Sequence, residues 1–246
     1  MTLRDTGLAL VRRLPFLEPV ARFVYNRAPS ALHDTPTTFL KELFSGADTI
    51  QFIQIGAFDG VAGDPIRPLV TTDARWRGIM VEPQPKVFTR LRTNYSAQAD
   101  RLTFLPCAVA AARDARPFYY IPEGEVARLA LPDWAGEVAS FDRDHVQKHF
   151  PEARVEEIAT DIITFADAAE RLSHVDLVVM DVEGFERPIL NSIEWDRFGV
   201  QACLFEHKHM PPAELAEIDD LLDRHGFAWK RYGRDTLAHR GPIAKA

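Results

Sequence analysis

The sequence predicts an α/β fold: one domain built on a single, mostly parallel sheet. Three observations carry this reading. Five apolar runs, TIQFIQIG, GIMVEP, LTFLPCAV, DLVVMDVE and QACLFE, are mostly continuous rather than alternating, the pattern of parallel strands covered on both faces. Segments with helical spacing lie between them, as a wound α/β sandwich requires. The chain has 246 residues, 46% of them hydrophobic, enough for one sizeable core.

The elements follow in order. Residues 5–25 and 36–46 read as helices, the second starting near Thr35-Pro36, where a proline suits the first helical position. Residues 1–45 are expected to form an N-terminal helical extension packed on a main domain over 46–246. KVFTRLRTNYS is expected to be a helix after the second strand. Thr164 and Asp167 suggest a capping box opening the helix FADAAERL. ERPILNSI reads as the helix after the fourth strand. PPAELAEIDDLLDRHG is the clearest helix, with proline at its start and Gly226 as its stop. FAWKRYGRD and TLAHR are expected to close the chain as a hairpin. Roughly 65 residues separate CAVA from VDLVVMD, too many for one crossover helix. Residues 110–160 therefore read as an insertion on the substrate side of the sheet.

Bulk properties exclude several classes. The net charge of −7 argues against non-specific binding to nucleic acid or to an anionic membrane. Cys107 and Cys203 both sit in apolar runs and are expected to be reduced and buried. Arg12 and Arg13 interrupt the apolar N-terminal stretch, so neither a membrane span nor a signal peptide is read there. A cytoplasmic protein without integral membrane association is expected, its oligomeric state open.

The strand ends suggest the chemistry. Gly56 closes the first strand and Gly60 permits a tight turn after it, where a ligand lying across parallel strands would meet backbone amides. The spacing is G-x-x-x-G, which is neither the dinucleotide fingerprint nor a phosphate-binding loop. Glu82 ends the second strand, 26 residues after Gly56, where a carboxylate accepts ribose hydroxyls. Asp181, Glu183 and Gly184 follow the fourth strand; Glu206, His207 and His209 follow the fifth. His145 and His149 share one face if DRDHVQKHF is helical, facing either solvent or an acceptor or metal.

Taken together, QIGAFDG, GIMVEPQPKVFTRLRTNY, LPCAVA and VVMDVEGFERPIL resemble the FkbM family of S-adenosylmethionine-dependent methyltransferases, over about residues 50–195. The resemblance implies a Rossmann-like class I methyltransferase domain, with a seven-stranded sheet whose last strand is antiparallel and an insertion between the third and fourth core strands. It implies that Gly56 and its loop approach the methionine part of the cofactor, that Asp59 holds the ammonium and that Glu82 binds the ribose. Cys107, Ala108 and Val109 would lie near adenine, and Asp181 would close the pocket. Gly60 belongs to the same cofactor loop. Relatives often carry Asn where this chain has Phe58, which cannot make the amide's hydrogen bonds. DVEG stands where base-amine methyltransferases carry a different signature, so no nucleic-acid acceptor is expected.

The activity implied is O-methylation of a hydroxyl on a saccharide or small natural product. Carboxylate- or nitrogen-directed transfer, or adenosylmethionine binding without catalysis, are the alternatives. A hydroxyl must lose its proton near the moment of attack. His207 is the best base by intrinsic pKa, with Glu206, Glu183 and Asp181 as further candidates. Mg²⁺ is conceivable on the carboxylates but not favoured, because they come from separated segments, and no compact Cys/His set suggests zinc.

Overall fold

The computed structural model describes residues 35–241. The helix expected over 5–25 lies outside them.

Helix α1 (Pro36–Leu43) starts as its sequence suggests, with the Thr35 side chain accepting from the Thr38 backbone N–H. The main sheet is then laid down: β1 (Ile50–Ile55), α2 (Arg67–Thr72), β2 (Trp76–Val81), α3 (Pro85–Asn94) and β3 (Leu102–Leu105). LTFLPCAV forms two strands rather than one. Pro106 has no N–H to continue the ladder, so the chain leaves the main sheet after β3. It continues as β4 (Cys107–Ala110), which pairs in parallel with β8 (Asp161–Thr164), a strand that the sequence pattern does not separate from the following helix.

The insertion between these two strands holds β5 (Phe118–Tyr120), α4 (Glu123–Arg128), β6 (Ala139–Ser140), α5 (Arg143–His149) and β7 (Glu156–Ile158). Its three strands form a small antiparallel sheet in the order β6-β5-β7. The Thr164–Asp167 capping box is present and opens α6 (Phe165–Ala169). The remaining elements are β9 (Leu177–Met180), α7 (Glu186–Ser192), β10 (Ala202–Glu206), α8 (Pro212–Arg224) and the terminal hairpin β11 (Ala228–Tyr232) and β12 (Asp235–His239).

The seven-stranded sheet has the order β11-β12-β10-β9-β1-β2-β3. Only β12 opposes its neighbours, pairing antiparallel with both β10 and β11. Alternate side chains of each central strand enter different cores. Ile53, Ile79, Val178 and Cys203 join one apolar cluster, and Phe52, Met80, Val179 and Leu204 join the other. Burial on both faces explains the continuous apolar runs. Cys107 and Cys203 are both buried and unpaired in a disulfide.

This order positions the site. β1 pairs in parallel with β2 on one side and with β9 on the other, so the direction of winding reverses at β1. A crevice opens there beyond the carboxyl ends of the strands.

Candidate active site

One cavity occupies that crevice. Its wall includes Gly56, Glu82, Cys107, Ala108, Val109, Asp181, Glu183 and Glu206, which are residues the sequence singled out at the ends of β1, β2, β4, β9 and β10. The insertion adds Phe118, Glu137, Ala139 and Phe141. Among the described residues, no helix is long and apolar enough to cross a membrane.

Gly56 is required by close packing. Its φ is +74°, and a Cβ there would lie 1.8 Å from the Asp181 carbonyl oxygen. The Gly56 and Ala57 N–H groups both donate to the Val81 carbonyl, tying the loop to β2. Phe58 takes a φ of +47° in the left-handed region, where Asn is tolerated far better than an aromatic residue. Phe58 lines the cavity, and its ring lies 6.0 Å from the Arg90 guanidinium.

Glu82 is 3% exposed. Its Oε2 accepts from the Phe58 N–H at 3.0 Å and its Oε1 from the Gln84 N–H at 2.9 Å. Burial pushes its carboxyl up to about 7, against the opposing pull of those two N–H groups. Two lone-pair positions of the carboxylate are thereby used, leaving two for a ligand.

Three expected site residues do not line the cavity. The Asp59 carboxylate folds its own loop, its Oδ1 accepting from Val61 and Ala62 N–H at 2.8 and 3.0 Å. Gly60 packs against Tyr95 and Leu91, where a Cβ would come within 2.4 Å of the tyrosine ring. His207 turns to the terminal hairpin, its Nδ1 3.0 Å from the Thr236 hydroxyl. Arg67 also holds the fold together: it donates to the Gly60 carbonyl at 2.8 Å and stacks over Tyr95.

Carboxylates dominate the far end. Asp181 opens onto the cavity and is exposed to solvent there. Crowding by the cavity walls, then the charges of Glu206, Glu183 and Glu186, pushes its pKa upward, with solvent access limiting the effect. Glu206 is raised by burial and by the charge of Glu183. At Glu183 burial would raise the carboxyl, but the neighbouring His145 and His209 outweigh it and hold it at about 2. Arg234 approaches Glu206 from the hairpin, its Nε 3.7 Å from Oε1.

Several of these features were hidden in the sequence. Glu186 holds the turn after β9: its Oε1 accepts from Val182 N–H at 2.9 Å and its Oε2 from Gly184 N–H at 3.1 Å. Gln54 lines the cavity with a buried side-chain oxygen that has no hydrogen-bond partner. A polar residue in the apolar run IQFIQI was its signal. Glu137, Phe118 and Phe141 lie in the insertion, where no motif marked them.

The residues fit an adenosylmethionine-like ligand. A buried acceptor suits a ribose diol, apolar side chains from β4 suit a purine, and an acidic far end suits a cationic sulfonium and ammonium.

An α/β domain with a cofactor-sized crevice at its strand ends is the class that this sheet order and site define. The FkbM methyltransferase domain matches residues 54–228, and the chain belongs to that family of methyltransferases. No curated protein matches it in sequence. Among solved structures, the METTL16 methyltransferase domain is 11% identical, with 83% of this chain and 66% of that one covered and a TM-score of 0.47. The N-terminal domain of human METTL16 in complex with SAH is 12% identical, with 82% and 68% covered and a TM-score of 0.38. Precorrin-6y C5,15-methyltransferase from Geobacter metallireducens is 13% identical, with 78% of each chain covered and a TM-score of 0.39. This chain spans just under two thirds of the length of the first of these.

Proposed function

We propose that the protein is an S-adenosylmethionine-dependent O-methyltransferase acting, in the cytoplasm, on a hydroxyl of a saccharide or small natural product. The observation that carries the reading is the continuity of the cavity. It joins the Gly56 loop and Glu82 to a wall containing Asp181, Glu183 and Glu206.

Glu82 holds the ribose hydroxyls, the Gly56 loop borders the methionine part, and Cys107, Ala108 and Val109 pack beside adenine. Bound there, the cofactor supplies a methyl group on a sulfonium. Asp181 is the proton acceptor for the attacking hydroxyl. It faces the cavity directly, and the neighbouring Glu206 and Glu183 charges raise its proton affinity. Residues 110–160 form the acceptor wall, through Phe118 and Phe141 for an apolar face and Glu137 for a polar contact. Residues 1–45 serve as an extension of the 46–246 methyltransferase domain.

The test is incubation of the purified protein with S-adenosylmethionine and a panel of hydroxylated, carboxylated and amine acceptors, with S-adenosylhomocysteine and methylated product followed by mass spectrometry. Methyl ethers that form with wild type and fall at least about 100-fold with Asp181→Asn support the assignment. Only methyl esters or N-methyl products would overturn it.

A further inference from the structure

Behind the acidic wall, side chains from distant parts of the chain converge. Glu183 comes from the turn after β9, Glu206 from the end of β10, His209 from the turn that follows, and His145 from α5 in the insertion. His209 Nε2 stands 3.0 Å from Glu183 Oε2 and 3.5 Å from Glu206 Oε2. His145 Nε2 stands 3.8 Å from Glu183 Oε2. Ligand atoms of Glu183, Glu206 and His209 all lie within 4.8 Å of one another; His145 belongs to a second set, with His149 and His209, that adjoins the first through His209.

These four atoms are buried, and none makes an aligned hydrogen bond. Glu206 is 5% and His145 8% exposed. Buried polar atoms nearly always have partners, and four unpartnered ones at one point call for a shared one. Their spacing says what kind. Donors held about 2.1 Å from a cation stand about 3.0 Å apart along an octahedral edge and about 3.4 Å along a tetrahedral one. The observed 3.0, 3.5 and 3.8 Å separations bracket those edges. A histidinium clasped by two glutamates is the competing arrangement: the 3.0 Å His209–Glu183 contact suits an ion pair, but its geometry is off-line and His145 Nε2 stays unpartnered.

We propose that Glu183, Glu206 and His209 bind one divalent transition-metal cation of the zinc class, with His145 drawn in from the adjoining set as the fourth ligand. Two imidazoles with two carboxylates suit such an ion better than Mg²⁺, which prefers oxygen and water. The surroundings make room for it. A Cβ on Gly184 would crowd His145 Cε1 at 3.1 Å, and its φ of +94° itself favours glycine there. His149 sits beside the set with its Nδ1 2.9 Å from the His145 carbonyl, which fixes that nitrogen as the donor and leaves Nε2 as an acceptor. Lys148 Nζ lies 3.1 Å from His145 Nδ1 and turns away on ligation, because that nitrogen then keeps its proton. The ion ties the insertion to the ends of β9 and β10. The inference stands on these residues and not on the reaction assigned above.

The test uses the full chain without a histidine tag, stripped with chelator, with neither cofactor nor acceptor added. It is titrated with Zn²⁺ by calorimetry and with Co²⁺ by visible absorption. One equivalent per chain is expected, with Co²⁺ bands of a four- or five-coordinate site. His209→Ala and the near-isosteric Glu206→Gln are each expected to weaken binding at least about tenfold. His225→Ala, at the end of α8, is expected to leave it unchanged. Circular dichroism identifies any misfolded variant, and Glu206→Gln then decides alone. Substoichiometric binding by wild type, or unchanged affinity in folded Glu206→Gln, overturns the proposal. Because no methyl transfer is measured, failure here is separate from failure of the O-methyltransferase reading.

Discussion

Replacing Glu82 with Gln tests the cofactor end of the cavity with almost no change of shape. Both carboxylate oxygens already accept a backbone N–H, at 3.0 Å from Phe58 and 2.9 Å from Gln84. An amide can satisfy only one of them, and its NH₂ then opposes the other N–H. A buried donor left unpaired costs about 1–3 kcal/mol, and the lost charge-assisted bond to a ribose hydroxyl about 1.5–3 kcal/mol. The second loss appears in binding, so Glu82→Gln should raise the Kd for S-adenosylmethionine about 10- to 150-fold. Calorimetric titration measures it, with a denaturation curve to show the variant folded.

The pH profile gives the same experiment a second reading. Burial raises the free protein's Glu82 to about 7. Ribose hydroxyls donate to the ionised form, so binding lowers that pKa and the complex holds fewer protons than the free protein. Affinity is therefore full above pH 7 and falls as pH drops below it, by at most about tenfold per unit. The Gln variant lacks this dependence. Wild-type affinity in Glu82→Gln, or the same pH profile in both proteins, would refute the assignment of Glu82 to the ribose.

Three further outcomes are expected. Gly56→Ala, whose new Cβ would meet the Asp181 carbonyl at 1.8 Å in a left-handed backbone, should destabilise the fold by about 2–5 kcal/mol in urea denaturation and weaken cofactor binding. Phe58→Asn, at a φ of +47°, should relieve backbone strain and raise stability by about 1 kcal/mol in the same assay. Glu186 is raised by burial from 4.5 to about 7, so the folded state holds its proton longer than the unfolded chain. Its contribution is complete below pH 4.5 and is lost as pH rises through 7, a change of about 3 kcal/mol, and Glu186→Gln should remove that part of the pH dependence of stability.

The sheet was legible in the sequence because its signals are local. Continuous apolar runs mark β1, β2, β9 and β10, and proline, glycine and the Thr164–Asp167 pair mark helix ends. Pro106 was legible too, since a residue without an N–H is poorly placed inside a central strand, yet the apolar residues on both sides of it suggested one strand. The histidines of HKH show where local reading stops. The ladder continues past β10 far enough for His207 N–H to donate to the Arg234 carbonyl, and Met210 N–H then closes a turn on the His207 carbonyl. That turn sends His207 toward Thr236 and brings His209 beneath Glu183. Intrinsic pKa favoured His207, but the direction of a turn is set by what it packs against. The ring of His209 packs edge to face against His145, which lies 64 residues earlier in the insertion.

The sequence DVEGFE distributes three acidic residues over three separate roles, and backbone geometry assigns them. Asp181 leaves β9 and opens onto the cavity. Glu183 takes a φ of +50°, a left-handed conformation unfavourable for a residue with a Cβ, and Gly184 follows at +94°. That double reversal turns the Glu183 carboxylate away from the path of the strand and toward His145 and His209. Such strain persists only where neighbours over-determine it. Glu186 supplies that constraint by accepting from the N–H groups of Val182 and Gly184. Its own cost is a buried carboxyl raised to about 7. Glu186 thus positions Glu183 without lining the cavity itself. Loss of its two hydrogen bonds in Glu186→Ala should disturb the histidine–glutamate cluster before it disturbs Glu82, at the other end of the cavity.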